Sequence, residues 1–239
     1  MAVTAPVRAD DGGCWQMIGA AFSRSANAPH AKFITYNQRS AITADQRTLQ
    51  DVKSNITYRD DGLAYIDDDR FTRPFTSVAL EPGPPVLGPY GDSRAAWLSL
   101  SDAAKTPLPV IAHVYAYPNE SCRDTGVAAI DRLTFQHLVL GDGQRKGAGL
   151  RELWIDPLAM DIARVVIRAP IRFFSGFSAG NIDQVLTDYI VDIERVNGYS
   201  VVRRVTWQYR DAEHGEYTAE YDFGNYRFSD VPPPGTFPG

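Results

Sequence analysis

Two hydrophobic periods divide the chain. Near its start, Trp15, Ile18 and Phe22 stand at i, i+3 and i+7, with Met17 and Ala21 beside them. That is the stripe of an amphipathic helix. Asp11 is placed to cap it, and Asn27-Ala28-Pro29 ends it, because the residue before a proline avoids helical backbone. The spacing predicts a helix from about Cys14 to Ser25. From Phe33 onward the period falls to two.

Phe33–Thr43 is rich in strand formers, and Ala44–Lys53 fits either helix or strand, with strand favoured by its neighbours. Asn55–Arg59 and Leu63–Ile66 flank the turn sequence Asp60-Asp61-Gly62. Later strands are expected at Val110–Tyr117, Asp131–Leu140, Leu150–Asp156, Asp161–Arg168, Tyr189–Val196, Tyr199–Tyr209, Glu216–Phe223 and Asn225–Phe228. Pro157-Leu158-Ala159, Asn197-Gly198 and His214-Gly215 supply turns, and Asn-Gly between alternating runs is the strongest short hairpin signal. Pro118–Asp124, carrying Cys122, reads as a polar loop. Glycine-rich 141–149 reads as a hairpin end.

Residues 81–109 break the pattern. Proline and glycine punctuate them, Asp92 is placed to cap a short helix through Leu98, and a long insert in a compact domain is often a lid or plug. About ten strands with short turns and one early helix predict a mainly β fold. The expectation is a large curled antiparallel sheet, or a half-open barrel, with the N-terminal helix packed on its concave side. Residues 1–13 are expected to be a flexible start, 14–230 a single β-rich domain and 231–239 a proline-rich tail. No 20–50-residue repeat suggests a propeller or solenoid.

Composition changes this picture little. Of 239 residues, 44% are hydrophobic and 22% charged, so a packed core is expected. A net charge of −5 without a basic face argues against nucleic-acid binding. No apolar run approaches the ~20 residues of a membrane-spanning helix. The opening residues lack the basic start and apolar stretch of an export signal and read as a mature start with an added Met, so export enters only as inference.

Standard catalytic signatures are missing. The histidines His30, His113, His137 and His214 lack a helical zinc spacing. His113 and His137 fall on neighbouring expected strands and could meet, although separate polar positions are the simpler reading. Ser175–Gly180 lacks the spacing of a nucleophile elbow. Arg145-Lys146 sits in a loop that fits no phosphate motif, and Asp67-Asp68-Asp69 reads as a solvated turn rather than a calcium loop. No cofactor or metal is expected. Cys14 and Cys122 could form one disulfide in an oxidising compartment or remain two unpaired thiols.

Large apolar side chains are the more informative feature. Phe71, Phe75, Leu80, Trp97 and Leu98 flank the irregular middle. Phe173, Phe174 and Phe177 gather, with Ile171, in a segment without clean periodicity. With Tyr115 and Trp154 they are the candidate ligand-binding residues. They are either core filling or the lining of an apolar pocket with mobile covers.

The order of elements then resembles the LolA-like superfamily of periplasmic lipoprotein carriers. Three features carry the resemblance: the helix before the first strand; the segment Glu152-Leu153-Trp154-Ile155-Asp156-Pro157 with its return through Arg164; and the Tyr189–Val205 pair turning at Asn197-Gly198, followed by a closing strand from Tyr221 to Phe228. The resemblance implies a half-open barrel whose concave face holds acyl chains, and a periplasmic or otherwise exported location. An exported carrier or sensor of an acylated or other apolar ligand follows as the leading expectation, with a lipoprotein or membrane-bound partner as a further candidate. A cofactor-independent enzyme on the same scaffold is the alternative, with His113, His137, Tyr115 and Arg132 as its polar candidates. A third reading is an interaction or envelope-sensing module that uses a free strand edge.

Overall fold

The computed structural model describes residues 11–29, 31–45, 47–59, 64–68, 121–141, 149–170, 186–211 and 215–236. Its elements are helix α1 (Asp11–Ala26) and the strands β1 (Phe33–Ala44), β2 (Arg47–Arg59), β3 (Ala64–Asp68), β4 (Cys122–Ile130), β5 (Leu133–Leu140), β6 (Gly149–Ile155), β7 (Ile162–Pro170), β8 (Leu186–Val196), β9 (Tyr199–Asp211) and β10 (Gly215–Ser229). The ten strands form one antiparallel sheet in the order β3-β2-β1-β10-β9-β8-β7-β6-β5-β4. Among the described strands, β3 and β4 stand at opposite edges and do not pair with each other, so these ten strands form an open sheet rather than a closed barrel. The mainly β architecture with one early helix is the one read from the period of the sequence.

Alternation places the core. Because side chains point to opposite faces at each step, strand pairing aligns residues of one parity in rows across the sheet. One row runs Leu138–Leu153–Val165–Val191–Val205–Tyr221 from β5 to β10. Every member is buried. Ile34 opposite Tyr58 and Tyr36 opposite Ile56 extend the same face onto β1 and β2.

Helix α1 adds Cys14, Ile18 and Ala21 to this core. Its Asn27 closes the last turn, with the backbone N–H and side-chain Nδ2 both donating to the Ser23 carbonyl, at 3.1 and 2.8 Å. Cys14 is disulfide-bonded to Cys122, the first residue of β4, with Cα atoms 5.7 Å apart. At the other end of the helix, Arg24 meets Asp161 of the β6–β7 turn at 3.5 Å. The helix therefore lies lengthwise on the apolar face, from the start of β4 to the far end of β6.

Three local expectations change. Cys122 opens a strand instead of sitting in a loop, and Asp131-Arg132 form a turn with φ of 47° and 75° instead of starting a strand. The run Arg123-Asp124-Thr125-Gly126 has little strand propensity, and pairing with β5 alone organises it. The two short strands expected at 216–223 and 225–228 are one strand, β10. Asn225 takes a left-handed φ of 57° there, and Asn225 and Tyr226 oppose the single residue Tyr36. This bulge returns Tyr226 to the apolar face without ending the strand. Val110–Tyr117, the 81–109 insert and the Asp60–Gly62 turn lie outside the described residues, although β2 and β3 pair antiparallel on either side of that turn.

Candidate functional site

The two faces of the sheet differ sharply in chemistry. A helix of 16 residues is about 24 Å long and about 10 Å wide, whereas ten strands at ~4.8 Å spacing make a sheet roughly 43 Å across. Lying along the strands at the β4–β7 end, α1 spans only a fraction of that width. On the same face, β8–β10, β1 and β2 present Trp207, Tyr221, Phe223, Tyr226, Tyr36, Tyr58 and Ile56, all buried. Tyr36 packs between Phe223 and Tyr226, with ring centroids 6.0 and 5.4 Å away. Tyr199 stacks on Phe228 at 4.0 Å.

One phenol of this face is bonded to the backbone. The Tyr226 hydroxyl donates to the Val202 carbonyl at 2.5 Å. Burial pushes the Tyr221 phenol up to about 12, and it raises the Tyr226 phenol as well. Both phenols therefore stay neutral to higher pH than an exposed tyrosine. Such a surface, as the described residues form it, can bind by shape and apolar contact.

One residue away along each strand, the opposite face carries a second transverse row. Register aligns His137, Trp154, Arg164, Asp192, Arg204, Asp222 and Arg39 from β5 to β1. The contacts follow the row. His137 and Trp154 have ring centroids 4.6 Å apart, and the Arg164 guanidinium lies 5.4 Å from the indole centroid. Arg164 donates to Asp192 at 2.5 Å, and Arg204 donates to Asp222 at 2.7 Å. Arg39 clasps Asp51 of β2 through two bonds of 2.9 Å. Asp192 is only 6% exposed, with Arg203 adding a second cation at 3.6 Å.

The β4–β5 hairpin crosses this outer face. β5 pairs β6 only from Gln136 to Val139. Beyond that, Asp131 in the hairpin turn reaches Arg203 of β9 at 2.7 Å, although β6, β7 and β8 lie between in the strand order. The Arg203 hydrogen bond holds the Asp131 carboxyl below the usual carboxylate range.

Among the sequence-predicted site residues, Trp154 stands on the outer face between Arg164 and His137, away from the apolar wall. Cys14 and Cys122 meet as a disulfide between helix and edge strand. Phe71, Phe75, Leu80, Trp97, Leu98, Tyr115, Phe173, Phe174 and Phe177 lie outside the described residues, as do His30, His113 and His214. His137 is on the outer face and Arg132 in the hairpin turn, so neither belongs to the apolar wall. The wall residues Tyr36, Tyr58, Trp207, Tyr221 and Phe223 were not singled out from the sequence. Their signal was the parity of each strand, which becomes a surface only once register is known.

Among the described residues, no three His, Cys, Asp or Glu side chains are grouped to hold a metal, and no helix is long and apolar enough to cross a membrane. A polar cleft of about 290 Å³ lies at the hairpin ends, between Thr43, Asp45, Glu216 and Thr218.

No protein-family model matches the chain, and no curated protein matches it. Solved structures do resemble it. A DUF1329 family protein from Desulfovibrio piger superposes with a TM-score of 0.47 at 11% identity, covering 90% of this chain and 92% of that one. A LolA superfamily protein from Nitrosomonas europaea gives 0.38 at 11% identity, covering 92% and 94%. The Mycobacterium tuberculosis lipoprotein LppX gives 0.29 at 10% identity, covering 91% and 96%. None of these likenesses carries a residue role or a ligand over to this chain.

Proposed function

We propose that this protein is a binding protein that holds an acylated or other apolar ligand against the apolar face of its sheet, acting as a carrier or sensor outside the cytoplasm. One observation supports the reading: the apolar face carries an aromatic wall on β8–β10, β1 and β2, whereas α1, the one helix among the described residues, is anchored at β4 and at the β6–β7 turn. Each methylene buried there would contribute roughly 0.8 kcal/mol, so an acyl chain of ordinary length gains enough to bind without a charged anchor. Neutral tyrosines suit this role, because an apolar ligand meets no charge on them that it would have to desolvate. The Cys14–Cys122 disulfide supports an oxidising compartment.

Native mass spectrometry after gentle purification, followed by solvent extraction, tests the proposal. A co-purifying lipid, or displacement of a fluorescent fatty-acid probe bound at a 1:1 ratio, is the expected result. A protein that arrives empty and leaves the probe unbound would sink it.

A further inference from the structure

The base of the outer-face hairpin holds a set of hydrogen bonds that only one protonation state satisfies. His137 Nδ1 lies 2.8 Å from the Thr125 hydroxyl of β4, and His137 Nε2 lies 3.0 Å from Glu152 Oε2 of β6. The Thr125 hydroxyl also donates to the His137 carbonyl at 3.0 Å. A hydroxyl has one hydrogen. With that hydrogen on the carbonyl, Thr125 Oγ can only accept from Nδ1. A carboxylate can only accept too, so Nε2 must carry a hydrogen as well. The imidazolium completes all three contacts. The neutral ring completes two, because either the Thr125 hydroxyl turns away from the carbonyl or Nε2 faces Glu152 with no hydrogen between them.

We propose that His137 is a pH-sensitive latch that ties β4 and β6 to β5 more firmly when protonated. The groups facing it fit this sign. Glu152 supplies the negative charge from β6 and is steadied by the Trp154 indole N–H at 3.3 Å. On β4, Asp124 is engaged by the Gln136 side chain and by the Gly126 N–H. The Arg164 cation of β7 stands on the Trp154 ring and is paired with Asp192.

The latch has a second end. β4 begins at Cys122, whose disulfide carries Cys14 and with it α1. Loosening β4 from β5 therefore loosens the element that covers part of the apolar face. The mechanism is independent of what that face binds.

Amide hydrogen exchange on the intact, oxidised protein tests the latch, read at pH 5.5 and 7.5 after correction for intrinsic exchange. The loss of one hydrogen bond corresponds to about a fivefold change in opening. Protection of the β4 amides is expected to be about fivefold greater at pH 5.5, while amides of β8 and β9 change little. His137→Gln, which keeps a polar side chain but cannot titrate, is expected to remove the pH difference. Glu152→Gln, read in parallel, is expected to shrink it while leaving the fold intact. Equal β4 protection at the two pH values in the wild-type protein overturns the proposal, and so does a pH difference that persists in both variants.

Discussion

Replacing both Cys14 and Cys122 with alanine is expected to lower stability by about 5 kcal/mol, and the reasoning behind that figure can be checked step by step. The bond closes a loop with a sequence separation of 108 residues. Loop-closure entropy for that length is about 16 cal/mol/K, or about 4.8 kcal/mol at 25 °C. Because both side chains are buried in the core, truncation adds a smaller packing loss. In a chain of this size, a loss of that magnitude shifts the melting temperature by roughly 10–20 °C. Urea unfolding of the oxidised protein, the reduced protein and the variant is the assay. The denaturant slope should also rise in the variant, because an uncross-linked unfolded chain exposes more surface. Intact mass in non-reducing conditions comes first: two free thiols would refute the pairing itself. If the bond is present and its loss costs less than about 1 kcal/mol, the chain-entropy account fails and α1 is held by its packing.

Leu153→Ala, at a fully buried position in the apolar row, should cost about 3 kcal/mol in the same assay. Asp192→Ala should cost about 3 kcal/mol by stranding Arg164 in a half-buried setting, and combining it with Arg164→Met should recover part of the loss in a double-mutant cycle. Burial raises Tyr221 to about 12, so its contribution is complete below the ordinary tyrosine value near 10 and is lost as pH climbs toward 12; ultraviolet titration should show tyrosinate forming together with unfolding, and Tyr221→Phe should reduce that dependence. Gly215→Ala should destabilise by more than about 1 kcal/mol, because Gly215 has a φ of 82° and an added Cβ would lie 2.6 Å from the Asp45 carboxylate oxygens, one of which accepts the Glu216 N–H at 2.9 Å.

What could be read from the sequence was local. Asn197-Gly198 announced the β8–β9 turn because both residues must take positive φ, and they do, at 53° and 86°. The stripe of α1 and the alternation of β6 to β9 were legible for the same reason: each is written within one element. β4 was not, since most of its side chains are exposed and Arg123-Asp124-Thr125-Gly126 carries no alternation to find. The two transverse rows were also invisible. Leu153 and Trp154 are neighbours in sequence, and only pairing with β5 and β7 decides that one joins an apolar wall and the other a charged ladder. The same holds for Asp192, a carboxylate whose burial depends on arginines from β7 and β9. Trp154 was singled out for its bulk, which says nothing about the face it occupies.

The position of β10 has a consequence for how this chain comes to be folded. It is the last strand in sequence, yet it sits between β1 and β9. Among the described strands, the meander β1–β3 and the meander β4–β9 therefore share no ladder until β10 has been made. A ribosome releasing this chain exposes two unfinished sheets, each with a long open edge, that cannot join across the gap. Unpaired edges of this kind recruit strands from other molecules. The time between the completion of β9 and the arrival of β10 is thus the interval in which a nascent chain is most open to pairing with its neighbours, and a stop codon ahead of Gly215 would make that interval permanent.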